Sequence, residues 1–141
     1  TSNAILTTDQ RGTYTIVCHN CKKFNYRYTM IDEKDIRVKD IEELYEDTDP
    51  IHLKFQINNV KNGDYVLRVF YVNPENGSIQ DIWKEMEYIN NLSKGEIEYM
   101  RRTATPRVEM KRIHVEDHVL RIDTKLKAHE IKALDIHYQF V

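Results

Sequence analysis

Cys18-His19-Asn20-Cys21 places two thiols at the C-x-x-C spacing that serves either a zinc site or a dithiol redox centre. A structural zinc site needs four ligands, and no second C-x-x-C or H-x-x-x-H pair follows at a workable distance. A redox pair sits at a helix start, where the dipole lowers the thiol pKa. Cys18 is instead in phase with Tyr14 and Ile16 on an alternating strand, which makes it a small core residue. His114 and His118 are four apart with a turn between them, and His52 and His137 fall on the polar phases of strands. They read as solvated strand histidines, without the spacing of a ligand cluster.

The 23 carboxylates lie mostly in mixed runs such as Asp32-Glu33-Lys34-Asp35 and Glu42-Glu43. Glycoside hydrolysis needs two carboxyl groups about 5–9 Å apart, one of them in an apolar setting, and no pair stands out. There is no G-x-S-x-G, no H-E-x-x-H and no Gly-rich phosphate loop, and there are only four glycines. No catalytic residue, metal ligand or cofactor is therefore assigned. Among the aromatics, Phe24, Tyr26 and Tyr28 alternate and offer a platform on which a sugar stacks. The same rings equally staple a long loop onto a core, which is the reading the residues favour. Trp83, in phase with Ile79 and Met86, suits helix packing.

These residues are positioned mainly by strands. The chain has 141 residues, 40% hydrophobic and 31% charged, with a net charge of -2. That is one domain with a sizeable core, no basic field to attract nucleic acid and no apolar run long enough for a membrane. Thr1 to Ala4 has neither the charged nor the apolar region of a secretory leader, which in a piece of a longer protein says little about the parent; the expected location is cytoplasmic. Ser2-Asn3-Ala4 resembles the remnant of a removed tag and is expected to mark a piece of a longer protein. The sequons Asn76-Gly77-Ser78 and Asn91-Leu92-Ser93 matter only in a secretory setting.

Alternation predicts strands over 13–20, 51–57, 65–72, 108–115, 120–126 and 131–140. The second and third read as a hairpin closed by Lys61-Asn62-Gly63-Asp64, with the third a central strand apolar on both faces. Parity changes at Lys111-Arg112 and Ala133-Leu134 suggest bulges. The Tyr-rich segment 22–50 is irregular apart from a two-turn helix on Val38, Ile41, Leu44 and Tyr45. A helical excursion over 74–105 contains one helix on Ile79, Ile82, Trp83 and Met86 behind Ser78. A second follows the capping box of Ser93 and Glu96. Six strands without helical crossovers predict a mainly all-β fold, an antiparallel β-sandwich with a short two-helix insertion, over 1–141.

Several segments, in order, resemble the C-terminal β-sandwich of glycoside hydrolase family 39, the β-xylosidase family. They are Asn62-Gly63-x-Tyr65, Asn76-Gly77-Ser78-x-x-Asp81-x-Trp83, Glu96-Ile97-Glu98-Tyr99-Met100 with Pro106, and Lys127-Ala128-His129-Glu130-Ile131. Where the family often has proline before the His-Glu pair, this chain has Ala128. The segment with Phe24-Asn25-Tyr26 is similar to modules at the end of some AraC-type transcription regulators. The resemblance implies a non-catalytic accessory domain of a sugar-related protein, beside a (β/α)8 barrel that holds both catalytic glutamates. For a regulator parent, DNA reading lies in a helix-turn-helix elsewhere, with no direct nucleic-acid contact here. The expected partners are the parent's barrel domain and, through weak self-association, a second copy. Trp83, Met86, Tyr88 and Met100 are the expected contact residues, because they offer more apolar surface than a small sandwich needs. A regulator parent is favoured over a β-xylosidase, and a free carbohydrate-binding module is the rival.

Overall fold

The computed structural model describes residues 3–140. Ser2 of the tag-like triplet therefore lies outside the described residues, while Ala4 opens the first strand. The strands are β1 (Ala4–Thr8), β2 (Thr13–His19), β3 (Ile51–Asn58), β4 (Gly63–Val72), β5 (Arg107–Val115), β6 (Val119–Leu126) and β7 (Ile131–Tyr138). Five form one antiparallel sheet in the order β1-β2-β7-β4-β5, and β3 and β6 pair as a second, two-stranded sheet. The helices are α1 (Tyr26–Thr29), α2 (Ile79–Glu85) and α3 (Lys94–Thr103). The architecture is the antiparallel, sandwich-like one that the alternation predicts. Among the described residues no helix is long and apolar enough to cross a membrane.

The expected hairpin of 51–57 with 65–72 does not form. β3 pairs with β6, and β4 lies between β5 and β7. Each of the two strands carries an apolar phase, and these phases bury best facing each other across the sandwich. The connection is therefore an arch, with Asn59 at φ 60 and Val60 buried as its plug. A second arch, between β5 and β6, is stapled to the first. The His118 amide donates to Asn62 Oδ1 at 2.8 Å, and the Val60 amide donates to the His118 carbonyl at 3.1 Å.

The two expected bulges are absent, since the register runs unbroken through Lys111-Arg112 and Ala133-Leu134. The parity changes have another cause. Ile113, Val115, Leu134 and Ile136 face the core or lie part-buried against it, whereas Val108, Met110, Ile131 and Ala133 belong to the opposite face. Register aligns Ile5, Val17, Ala133, Phe70 and Val108 in one apolar row across all five strands of that outer face. Ile5 is 71% exposed, and Val17 and Val108 are each about half exposed.

Two local assignments also change. Val38–Leu44 is a 3-10 helix, because Val38, Ile41 and Leu44 recur every third residue and so share a face only at three residues per turn. Among the described residues the strands number seven rather than six, because β1 is a mostly exposed edge strand without alternation. α2 and α3 form as expected. Ser78 accepts from the Asp81 amide, and the Ser93–Glu96 capping box is complete.

Asp64 and His114 stand directly opposite on β4 and β5, with Nδ1 2.6 Å from the carboxylate. That hydrogen bond raises the imidazole above its ordinary 6.5. The tie is fully made below the ordinary value and lost as pH rises through the raised one. An NMR titration of His114 is expected to show a midpoint above 6.5, which Asp64→Asn lowers.

Candidate functional site

The core is apolar except at one end. Asn20, Asn73, Thr124 and Glu130 are the buried polar residues described, and they gather where β2, β4 and β6 end and β7 begins. Asn20 ties three connections together: its side-chain amide donates to the carbonyls of Asp49, Leu126 and Lys127, at 3.0, 3.3 and 3.1 Å. Glu130 accepts from Asn73 Nδ2 at 2.5 Å and from the Lys127 amide at 3.2 Å, and it faces Lys132 Nζ at 3.5 Å. Asn73 Oδ1 in turn accepts from the Asn76 side chain at 3.0 Å. A buried carboxylate persists only with such partners.

The segments Asn76-Gly77-Ser78-x-x-Asp81 and Lys127-Ala128-His129-Glu130, distant in sequence, therefore meet in space. Gly77 lets the chain pass close against the backbone that follows α3. It holds φ 76, and an added Cβ would lie 2.6 Å from the Thr105 carbonyl oxygen, which is backbone and cannot swing away. Gly77→Ala is expected to cost about 2 kcal/mol or more from the forced left-handed conformation and the clash. A thermal melt against the parent sequence measures it.

The Tyr-rich segment packs onto this end through a column of rings. Phe24 stacks on Tyr28 at 4.1 Å and 7° and on Tyr45 at 4.9 Å and 10°, and Tyr45 meets His129 at 4.3 Å. Two near-parallel neighbours must occupy opposite faces of Phe24, so neither of its faces is free. Tyr26, on α1, is 75% exposed and outside the column. Of the three alternating aromatics, the structure thus brings two together. His129 turns the chain at φ 62, packs on Tyr45, and its Nε2 is buried without a hydrogen-bond partner.

In the helical excursion, Trp83 meets Tyr88 edge-on at 5.1 Å, and its indole N–H donates to the Ile89 carbonyl at 2.9 Å. Met86 is half-buried and Met100 fully buried. Ile79, Ile89, Ile97 and Tyr99 are the large apolar residues exposed beside them. Lys84 of α2 reaches Glu42 at 2.7 Å, tying the excursion to the Tyr-rich segment.

Two cavities open here. One, about 250 Å³, lies between the Tyr-rich segment and α2, with Tyr45, Asp81 and His129 in its lining. The other is a groove of about 600 Å³ with Tyr71, Glu109, Lys127, Glu130 and Lys132 in its lining. Tyr71, Glu109 and Lys132 share the core-facing phase of β4, β5 and β7, yet they are polar. That mismatch is the sequence signal that marks them. Cys18 is buried, which pushes its thiol pKa up, and Cys21 is exposed. No group of three or more His, Cys, Asp or Glu placed to hold a metal occurs among the described residues.

No protein-family model matches the chain. Over 131 residues it is 24% identical to uncharacterized HTH-type transcriptional regulators of Staphylococcus aureus, including those of strains MRSA252 and COL. The match takes in 93% of this chain but 16% of theirs, so the chain spans about a sixth of the length of these relatives. In fold it is similar to a monomeric beta-xylosidase from Caulobacter crescentus CB15, with a TM-score of 0.76 at 15% identity, covering 99% of this chain and 27% of that one. It is also similar to the GH39 enzyme from Xanthomonas axonopodis pv. citri, with a TM-score of 0.72 at 12% identity, covering 99% and 26%. The chain is thus a small β-domain similar in fold to one part of GH39 enzymes and similar in sequence to one part of HTH-type regulators. It is a β-sandwich and not a barrel.

Proposed function

We propose that this chain is a non-catalytic accessory β-sandwich domain that works by packing against a neighbouring domain of a larger, sugar-related protein. The parent is an AraC-type transcriptional regulator, and the neighbour is its barrel domain. One observation carries this: nearly the whole chain matches a small fraction of HTH-type regulators. The outer apolar row and the exposed apolar residues of the excursion support it, because a domain that functions alone has little use for either. The contact then involves Trp83, Met86 and Tyr88, with Met100 holding the helices from within. The same surfaces carry weak self-association of the isolated domain. A β-xylosidase parent is the second reading, favoured by the fold likeness to GH39 enzymes.

Expression of the complete reading frame tests this. Sequence-specific DNA binding is expected from the full-length protein and none from the 141-residue chain. Hydrolysis of an aryl xyloside by the full-length protein would move the parent to the second reading. Hydrolysis by the 141-residue chain itself would overturn the accessory role.

A further inference from the structure

Two strands cannot cover five. On the core-facing side of the large sheet, β5 presents Arg107, Glu109 and Lys111, all exposed, and the groove of about 600 Å³ opens in this part of the fold. Tyr71 supplies an aromatic surface in it. Its hydroxyl donates to Glu109 Oε1 at 3.0 Å, and Lys132 Nζ stands 5.7 Å from its ring centroid. Lys127 and Glu75, also in the lining, pair at 3.0 Å. Lys132 is fixed by Thr124 Oγ1 at 3.1 Å, by the Lys125 carbonyl at 2.8 Å and by buried Glu130.

The lining contains three carboxylates, Glu75, Glu109 and Glu130, and three ammonium groups, Lys125, Lys127 and Lys132, so its formal charge cancels. A neutral lining has no net attraction for phosphate, nucleic acid or polyamine. It does set an acceptor, Glu109, and a donor, Lys132, beside an aromatic ring. That pattern matches a ligand with hydroxyl groups on an apolar carbon skeleton, and the volume falls in the range of small-molecule sites. We infer that this groove binds a neutral polyhydroxylated ring, a mono- or disaccharide, with the Tyr71 ring against the sugar and Glu109 accepting from its hydroxyls. Glu130 acts as a positioning residue through Lys132. The groove and the outer apolar row lie on opposite faces of the large sheet, so a neighbour seated on that row leaves the groove open.

An amide chemical-shift titration of the 141-residue chain with D-xylose, xylobiose and D-glucose tests it. Saturable shifts at Tyr71, Glu109 and Lys132 are expected, with a Kd of about 1–10 mM for at least one probe. Glu109→Gln, an exposed change that leaves the fold intact, is expected to weaken binding at least about fivefold, given the strength of hydrogen bonds to a charged acceptor. Tyr71→Ala is expected to abolish it, and Phe24→Ala to leave it unchanged. The inference is overturned by no saturation for any probe at about 100 mM, by shifts centred on Phe24 and Tyr28, or by groove shifts that Glu109→Gln does not alter.

Discussion

Tyr65→Ala is expected to lose about 4 kcal/mol of folding stability, and Tyr65→Phe about 1 kcal/mol. Tyr65 is fully buried, on the inner strand β4 between β7 and β5. Its ring meets Tyr138 edge-on at 5.2 Å and Tyr14 at 6.4 Å, while its hydroxyl donates to the Lys61 carbonyl at 2.8 Å. The ring therefore fills the layer between the sheets, and the hydroxyl ties the first arch to the strand it feeds. Alanine leaves a cavity that two neighbouring tyrosines cannot close. Phenylalanine keeps the packing and leaves one carbonyl without its donor. Urea denaturation of both variants measures the split. Equal losses would mean that the hydroxyl tie, rather than the ring, holds the arch.

Glu130→Ala is expected to cost about 3 kcal/mol, a large share of the stability of a domain this size. The carboxylate side chain is 4% exposed and that of Lys132 is 16% exposed, so water screens neither well. Its removal strands the Asn73 amide and the Lys127 N–H and leaves the Lys132 ammonium, still bonded to Thr124 and the Lys125 carbonyl, without its counter-charge. Pairing Glu130→Leu with Lys132→Met removes both charges at once and is expected to recover part of the loss, since the charged pair owes its value to its partner rather than to burial. Additive losses in that double variant would show that the charges are not coupled.

Much of the local structure was legible in the residues, and the tertiary pairing was not. The capping signals at Ser78 and Ser93 placed both helices, because a hydroxyl that satisfies orphan amides acts within one turn. Alternation marked the strands but not their partners. The apolar phases of 51–57 and 65–72 fit a hairpin and an arch equally, and Val60 in the connection is what separates the two. Apolar residues on both phases of β5 and β7 imitate a bulge when an outward apolar face is not considered. The junction of Asn73 with Glu130 rests on residues 57 apart in sequence, and no local pattern pairs them. The groove is written only as polar residues on the core-facing phase of their strands, at Tyr71, Glu109 and Lys132. That signal becomes readable once the register is known.

The outer row also sets how the domain behaves alone. β5 is a charged edge, Arg107-Val108-Glu109-Met110-Lys111-Arg112, which resists pairing with another chain. β1, Ala4-Ile5-Leu6-Thr7-Thr8, carries no charge and has Ile5 and Leu6 exposed. Any neighbour that covers Ile5 and Val17 also shields this edge, so packing and protection from aggregation call for the same surface.

Amide hydrogen exchange compared between the full-length protein and the 141-residue chain tests the packing role most directly. Ala4–Thr8 and α2 with α3 are expected to exchange more slowly in the full-length protein, where the neighbouring domain covers the apolar row and the excursion. Identical exchange at these segments in the two proteins would show that nothing packs there, and would contradict the role assigned to the domain.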